Sequence, residues 1–174
     1  MEKPIINKNQ VFTDKRGVFA PLKLTYNSGE LNKNWVQSNV SINPNKFTLR
    51  GLHFQTGIYA QSKLVKVIDG RLLDVVVDIR KGSETFMDVH MFDMSPGDEV
   101  LVPKGFAHGF ITLEENTVVQ YLVDNDYSPE NEGSIVWVRF SEIMGKLMEL
   151  TDGEFNHSKL TIAEKDLETK NFNI

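Results

Sequence analysis

"KLVKVIDGRLLDVVVDI", residues 63–79, carries two aliphatic runs on either side of Asp69-Gly70. Short runs of this composition, bounded by turn residues, read as strands. An Asp-Gly pair tolerates positive φ at both positions, so the segment predicts a hairpin closed by a type I′ turn. That turn sets Ile68 opposite Arg71, Val67 opposite Leu72, Val65 opposite Asp74 and Lys63 opposite Val76. Cross-strand partners share a face, which puts Lys63, Val65, Val67, Leu72, Asp74 and Val76 on one side, with Lys63 and Asp74 as diagonal neighbours. An ordinary ion pair accounts for those two charges as well as any functional role does. The same texture continues outward through "FMDVHMFDM" (86–94), "EVLVP" (99–103), "GFAHGFITL" (105–113) and "TVVQYLV" (117–123). Short strands at such spacing predict an all-β sandwich or barrel. One helix is expected near the C-terminus, where Ser141 can cap "EIMGKLMEL" and Ile143, Leu147 and Leu150 recur at helical spacing.

With 174 residues, 40% of them hydrophobic, the chain can bury one substantial core, and no repeat or linker marks a boundary, so a single domain over residues 1–174 is expected. No apolar run approaches the roughly 18 residues of a membrane helix. The opening "MEKPIINKNQ" lacks the apolar stretch of a signal peptide, and a cytoplasmic location away from membranes is the expectation. Zero cysteines exclude disulfides, thiolate metal sites and a cysteine nucleophile. A net charge of −5 argues against a broad nucleic-acid surface but leaves room for a small phosphorylated ligand held by a few local cations.

Three residues stand out chemically. His53 in "LRGLHFQ" (49–55) shares its strand face with Gly51 and Gln55, His108 in "PKGFAHGF" lies between Phe106 and Phe110 on its own face, and Tyr121 shares a face with Val119 and Val123. Each fits a satisfied core residue as readily as a reagent.

"PGDEVLVPKGFAHGF" (96–110) places Gly97, Pro103 and His108 at the spacing of the second cupin motif, which implies a cupin jelly-roll β-barrel or sandwich with a short C-terminal helical segment. The upstream segment that would supply a His-x-His pair and a glutamate reads "LHFQTGIYAQ", so too few ligands remain for a metal site. Taken in order, "RGLHFQ", "QSKLVKVIDGRLLDVVVDIRKGSETF", "VPKGFAHGF" and "YSPENEGSIVW" resemble the dTDP-4-dehydrorhamnose 3,5-epimerase family, from about Arg16 to Trp137. The resemblance implies a homodimer that exchanges N-terminal strands, no metal or organic cofactor, and a nucleoside-diphosphate 4-keto-6-deoxy sugar as substrate. It also implies roles: His53 as catalytic base, Asp166 in "AEKD" as its partner, Lys63 near the C4 carbonyl oxygen and Tyr121 as general acid. Asp74 and His108 match further pocket residues. Arg50, Arg16, Gln37, Asn39 and, beside His53, Gln55 fall among the substrate contacts.

The chemistry accounts for these residue types. A proton on carbon beside a ketone is weakly acidic, so its removal needs a base and a cation or donor at the oxygen that becomes enolate. Inversion then needs an acid on the opposite face. Departures from the family pattern gather at the nucleobase end: Pro21 stands where a glutamate is usual, and Asp126-Tyr127 replaces a pair of tyrosines. "WVRF" replaces the usual "WND", and the stretch from there to Asp166 is longer than usual. A 3,4-ketoisomerase on the same scaffold, or a cupin that binds a sugar nucleotide without turning it over, are the alternatives.

Overall fold

The computed structural model of the chain describes residues 3–8, 12–14, 17–19 and 35–172. Its strands are β1 (Ile5–Lys8), β2 (Phe12–Asp14), β3 (Gly17–Phe19), β4 (Gln37–Asn43), β5 (Thr48–Gln55), β6 (Lys63–Asp69), β7 (Leu72–Asp78), β8 (Val89–Met94), β9 (Asp98–Val102), β10 (Phe106–Thr112), β11 (Thr117–Val123), β12 (Glu132–Ser134) and β13 (Thr161–Ile162), with one helix, α1 (Ser141–Leu150). One antiparallel sheet runs β1-β9-β6-β11-β4 and the other β12-β5-β10-β7-β8, with β13 added parallel to β5. β2 and β3 pair with each other. This is the all-β jelly roll that the cupin spacing implied.

Two cores result. Between the sheets, Val65, Val67, Leu72, Val76, Val100, Phe110 and their neighbours pack together. Behind the second sheet, Leu73, Val75 and Val77 meet Leu52, Phe54, Trp137 and the helix residues Ile143 and Leu147. Strand β7 is therefore buried along its whole length, one face in each core.

That double burial overturns the predicted hairpin. β6 is bonded to β9 and β11, β7 to β8 and β10, and the two strands flanking Asp69-Gly70 do not pair with each other. The turn is an arch from one sheet to the other. Turn chemistry acts over two residues, whereas burying each aliphatic side chain contributes roughly 1.5–3 kcal/mol, and a central position in separate sheets buries more of them. Gly70 keeps the positive φ the turn required, +76°, and a Cβ there would come within 2.8 Å of the Thr117 Cα. The predicted grouping of side chains survives in a different geometry, since Val65 and Val67 meet Leu72 and Val76 across the space between sheets. Lys63 and Asp74 accordingly sit on opposing walls, not as diagonal neighbours on one.

The helix lies where its periodicity placed it, with Ile143 and Leu147 fully buried. Ser141 is not its cap. It is the first helical residue, and Phe140, 5% exposed, occupies the capping position without a side-chain hydrogen bond. Burying a phenylalanine outweighs the roughly 1 kcal/mol of a serine cap. Among the described residues no helix is long and apolar enough to cross a membrane.

Candidate active site

Strands β5 and β10 lie side by side in the inner wall with His53 opposite His108, and their register shifts between His108 and Phe110. Two glycines permit this. Gly51 has φ +108°, and a Cβ on it would stand 2.7 Å from the His108 carbonyl oxygen and 2.8 Å from the Gly109 Cα. A Cβ on Gly109 would in turn meet the Arg50 carbonyl oxygen. Side chains at either position would force the strands apart and move both imidazoles.

Each imidazole has its own carboxylate. His53 Nε2 lies 2.7 Å from Asp166 Oδ1, and the Gly51 N–H donates to Asp166 Oδ2 at 3.2 Å. Burial works to raise the Asp166 pKa, but the hydrogen bond and charge of His53, the Gly51 N–H and Lys165 outweigh it and hold the carboxyl below its ordinary value. An ionised carboxylate only accepts, so His53 donates from Nε2, and in the neutral ring Nδ1 carries the lone pair. Asp166 is shielded at 3% exposure while the His53 side chain keeps 24%, which leaves the imidazole an open side. In the second pair His108 Nε2 is 2.8 Å from Asp74 Oδ2 with both groups buried, and Asp74 Oδ1 has no hydrogen-bond partner.

Lys63 extends its ammonium into this interior, 3.5 Å from the His53 carbonyl oxygen. The residue as a whole is half-buried but its ammonium is enclosed by protein, and desolvation lowers its pKa to about 8 against the opposing charges of Asp74 and Glu132. Tyr121 stands on β11 beside Val65. Burial raises the pKa of its phenol, with Arg50 pulling the other way, so the hydroxyl remains a donor at neutral pH.

The cleft has two lobes, of about 570 and 370 Å³, which share His53, Lys63, Tyr121 and Lys165. Arg50 and His108 line the larger lobe, where Arg50 is fixed by donating from Nε to Asn43 Oδ1 at 2.8 Å. Gln37 and Asn39 line the smaller one, hydrogen-bonded to each other at 2.6 Å. Gln55 also borders it, but its amide is engaged with the chain: Nε2 donates to the Tyr59 and Asp126 carbonyls, and Oε1 accepts from Ser128 N–H. It therefore shapes the rim. Arg16 and Pro21 lie outside the described residues.

Sequence reasoning passed over Lys165, Glu132 and Gln61, all on the cleft wall, and gave Tyr127 no role beyond its place in a motif. Adjacency to Asp166 was the one available signal for Lys165. Among the described residues no group of three or more His, Cys, Asp or Glu side chains is gathered so as to hold a metal ion.

A carboxylate-held imidazole, an enclosed ammonium and a neutral phenol line one β-walled cleft. Such a set suits proton removal and return at a carbon beside a carbonyl, and with the jelly roll it defines a cupin of the epimerase class. The model of the dTDP-4-dehydrorhamnose 3,5-epimerase family matches residues 1–173. The dTDP-4-dehydrorhamnose 3,5-epimerase of Salmonella typhimurium is 42% identical over 141 residues, 76% of this chain and 75% of its own. A crystal structure of the Elizabethkingia anophelis enzyme superimposes with a TM-score of 0.77 at 36% identity, covering 98% of this chain and 92% of that one. The Legionella pneumophila epimerase, solved in complex with dTDP-4-keto-L-rhamnose, gives 0.74 at 31% identity, covering 94% and 84%. The chain belongs to the dTDP-4-dehydrorhamnose 3,5-epimerase family and is an isomerase.

Proposed function

We propose that the protein epimerises a nucleoside-diphosphate-linked 4-keto-6-deoxy sugar at C3, C5 or both. The observation that carries this reading is the His53–Asp166 pair opening onto the junction of the two lobes, where Lys63 and Tyr121 also stand. His53 Nδ1 takes the proton from a carbon next to the C4 ketone. Asp166 orients the ring and stabilises the imidazolium that forms. The electron pair moves onto the ketone oxygen, where the Lys63 ammonium compensates the growing negative charge. Tyr121 returns a proton to the opposite face, and the configuration inverts. Asp74 favours the charged form of Lys63 and fixes His108 in the same wall. Arg50 and Lys165 offer positive charge to a diphosphate, and Gln37 and Asn39 offer amides to the nucleoside.

The working unit is a cytoplasmic homodimer, acting without nucleic acid or membrane, in which each chain is one catalytic domain. Its N-terminal segment, roughly residues 1–25 with Arg16, completes the neighbour's site; the family resemblance supports this. Full activity in a protein that light scattering finds monomeric at assay concentration would refute it.

The test of the activity is incubation with dTDP- and GDP-linked 4-keto-6-deoxy sugars in deuterium oxide, followed by NMR. Exchange at C3 or C5 with inversion is expected. Tight binding without exchange at either carbon, for both nucleotides, would overturn the reading in favour of a binding module.

A further inference from the structure

Asp166 reaches His53 from a strap that runs outside the barrel, and the strap is fastened on both sides of it. Upstream, β13 pairs Thr161 and Ile162 with Thr48 and Leu49 of β5. Downstream, Ser134 and Lys170 exchange backbone hydrogen bonds of 2.8 and 3.0 Å. Between the two fastenings, the backbone of Asp166 itself donates only within the strap, to the Ala163 carbonyl. Its position over β5 therefore depends, beside the Gly51 N–H that its carboxylate accepts from, on how the two fastenings are set.

The Ser134 side chain is the unusual part of the downstream fastening. Its hydroxyl donates to the Glu168 carbonyl at 2.8 Å and accepts from the Lys170 N–H at 3.1 Å. Glu168 is two residues beyond Asp166. Ser134 is also the cross-strand partner of His53, so the residue that grips the strap is registered against the residue the strap serves. It is 6% exposed and is not part of the cleft lining. A second tie runs beside it, from Val136 N–H to Thr169 Oγ1 at 3.2 Å.

We propose that Ser134 is a positioning residue for the His53–Asp166 pair: its hydroxyl, by holding the Glu168 carbonyl, sets Asp166 at hydrogen-bonding distance from His53. The backbone pair with Lys170 would form with any residue except proline, but the grip on Glu168 needs a side-chain donor of this length. The Ser134 hydroxyl lines neither lobe of the cleft and bonds to Glu168 and Lys170, so its contribution passes through the strap that carries Asp166.

The inference rests on the epimerase reading and has a readout that does not depend on it. Ser134→Ala is expected to lower kcat by up to roughly 100-fold, the scale of loss when a catalytic group is displaced by about an ångström. The KM for the sugar nucleotide should stay within about two-fold. Ser134→Thr, which keeps the hydroxyl, should restore most of the rate. In an Asp166→Asn background Ser134→Ala should cost nothing further, because the group it positions is already lost. The ring N–H proton of His53 donated to Asp166 should give a low-field NMR resonance in the wild type and in Ser134→Thr that broadens or disappears in Ser134→Ala. Should Ser134→Ala fail to fold, Thr169→Val removes the neighbouring tie and should follow the same cycle. A wild type that exchanges no substrate proton sinks the epimerase reading, and the low-field resonance still decides the role of Ser134. An active wild type whose Ser134→Ala loss is equally large with Asp166→Asn, or whose resonance is unchanged by the substitution, overturns the proposal alone.

Discussion

Raising the pH from 7 to 9 should silence this site about ten-fold while the barrel stays folded. The perturbation acts on Lys63, whose pKa lies at about 8. On that value the ammonium is about 90% populated at pH 7 and about 10% at pH 9, whereas a lysine with the ordinary value of 10.5 would still be about 97% charged. The neutral amine cannot compensate an enolate, so kcat/KM should show an alkaline limb near pH 8. Asp74 is the larger of the two charges that oppose desolvation and Glu132 the smaller. Asp74→Asn keeps an acceptor for His108 Nε2 yet removes the charge, and should move the limb to lower pH by more than Glu132→Gln does. The assay is the initial rate of deuterium incorporation at sub-saturating substrate across pH 6–10. A limb above pH 10 in the wild type, or one that Asp74→Asn leaves in place, would refute the reasoning. Linkage gives a second sign to check. The folded state lowers this pKa, so below pH 8 the charged lysine costs stability, a cost that fades as pH rises toward its unfolded value. Lys63→Met at pH 7 should therefore abolish turnover while stabilising the fold by up to about 3 kcal/mol, read by denaturant unfolding.

Three further outcomes are expected. His53→Asn should abolish solvent exchange at both sugar carbons while nucleotide binding, followed by calorimetry, stays nearly intact; near-normal exchange would pass the base role to another group. Tyr121→Phe should preserve exchange better than inversion, because the enolate still forms and can be requenched from its original side. Loss of a positioned acid costs roughly 10²–10⁴-fold in its own step, so the ratio of deuterium incorporation to inverted product should rise, and an unchanged ratio would remove Tyr121 from the mechanism. Treatment with a chelator should leave turnover unchanged, and loss of activity that one added divalent metal restores would contradict this.

Many strand positions, the helix and the gathering of Val65, Val67, Leu72 and Val76 into one core were legible because they follow from periods of two and 3.6 residues. Which strand pairs with which was not. An Asp-Gly turn states a local preference, and the partners of β6 and β7 were chosen by burial of residues far along the chain. The site divides in the same way. His53, His108 and Tyr121 could be singled out from their strand neighbours alone, though not as reagents. Asp166 stands 113 residues from His53 on a strap with no periodic pattern, and only family resemblance pointed to it. Nor did the placing of Gln55 among the substrate contacts foreshadow that its amide also ties down the Tyr59, Asp126 and Ser128 backbone. Ser134 gave no sign and Lys165 none beyond its adjacency to Asp166, since the strap that places them has no periodic pattern.

The arch at Asp69-Gly70 also bears on how fast the chain can fold. A hairpin there would have closed early, within microseconds, and offered a nucleus for the rest. Instead β6 must wait for β9 and β11, with Lys63 finding Val123, and β7 must wait for β10, with Leu72 finding Thr112. Such non-local pairings meet the entropy of loop closure before any contact rewards it, which places the protein among slow, high-contact-order folders. Until then the valine-rich β7 lies open, and at high concentration that strand is where association of incompletely folded chains would begin.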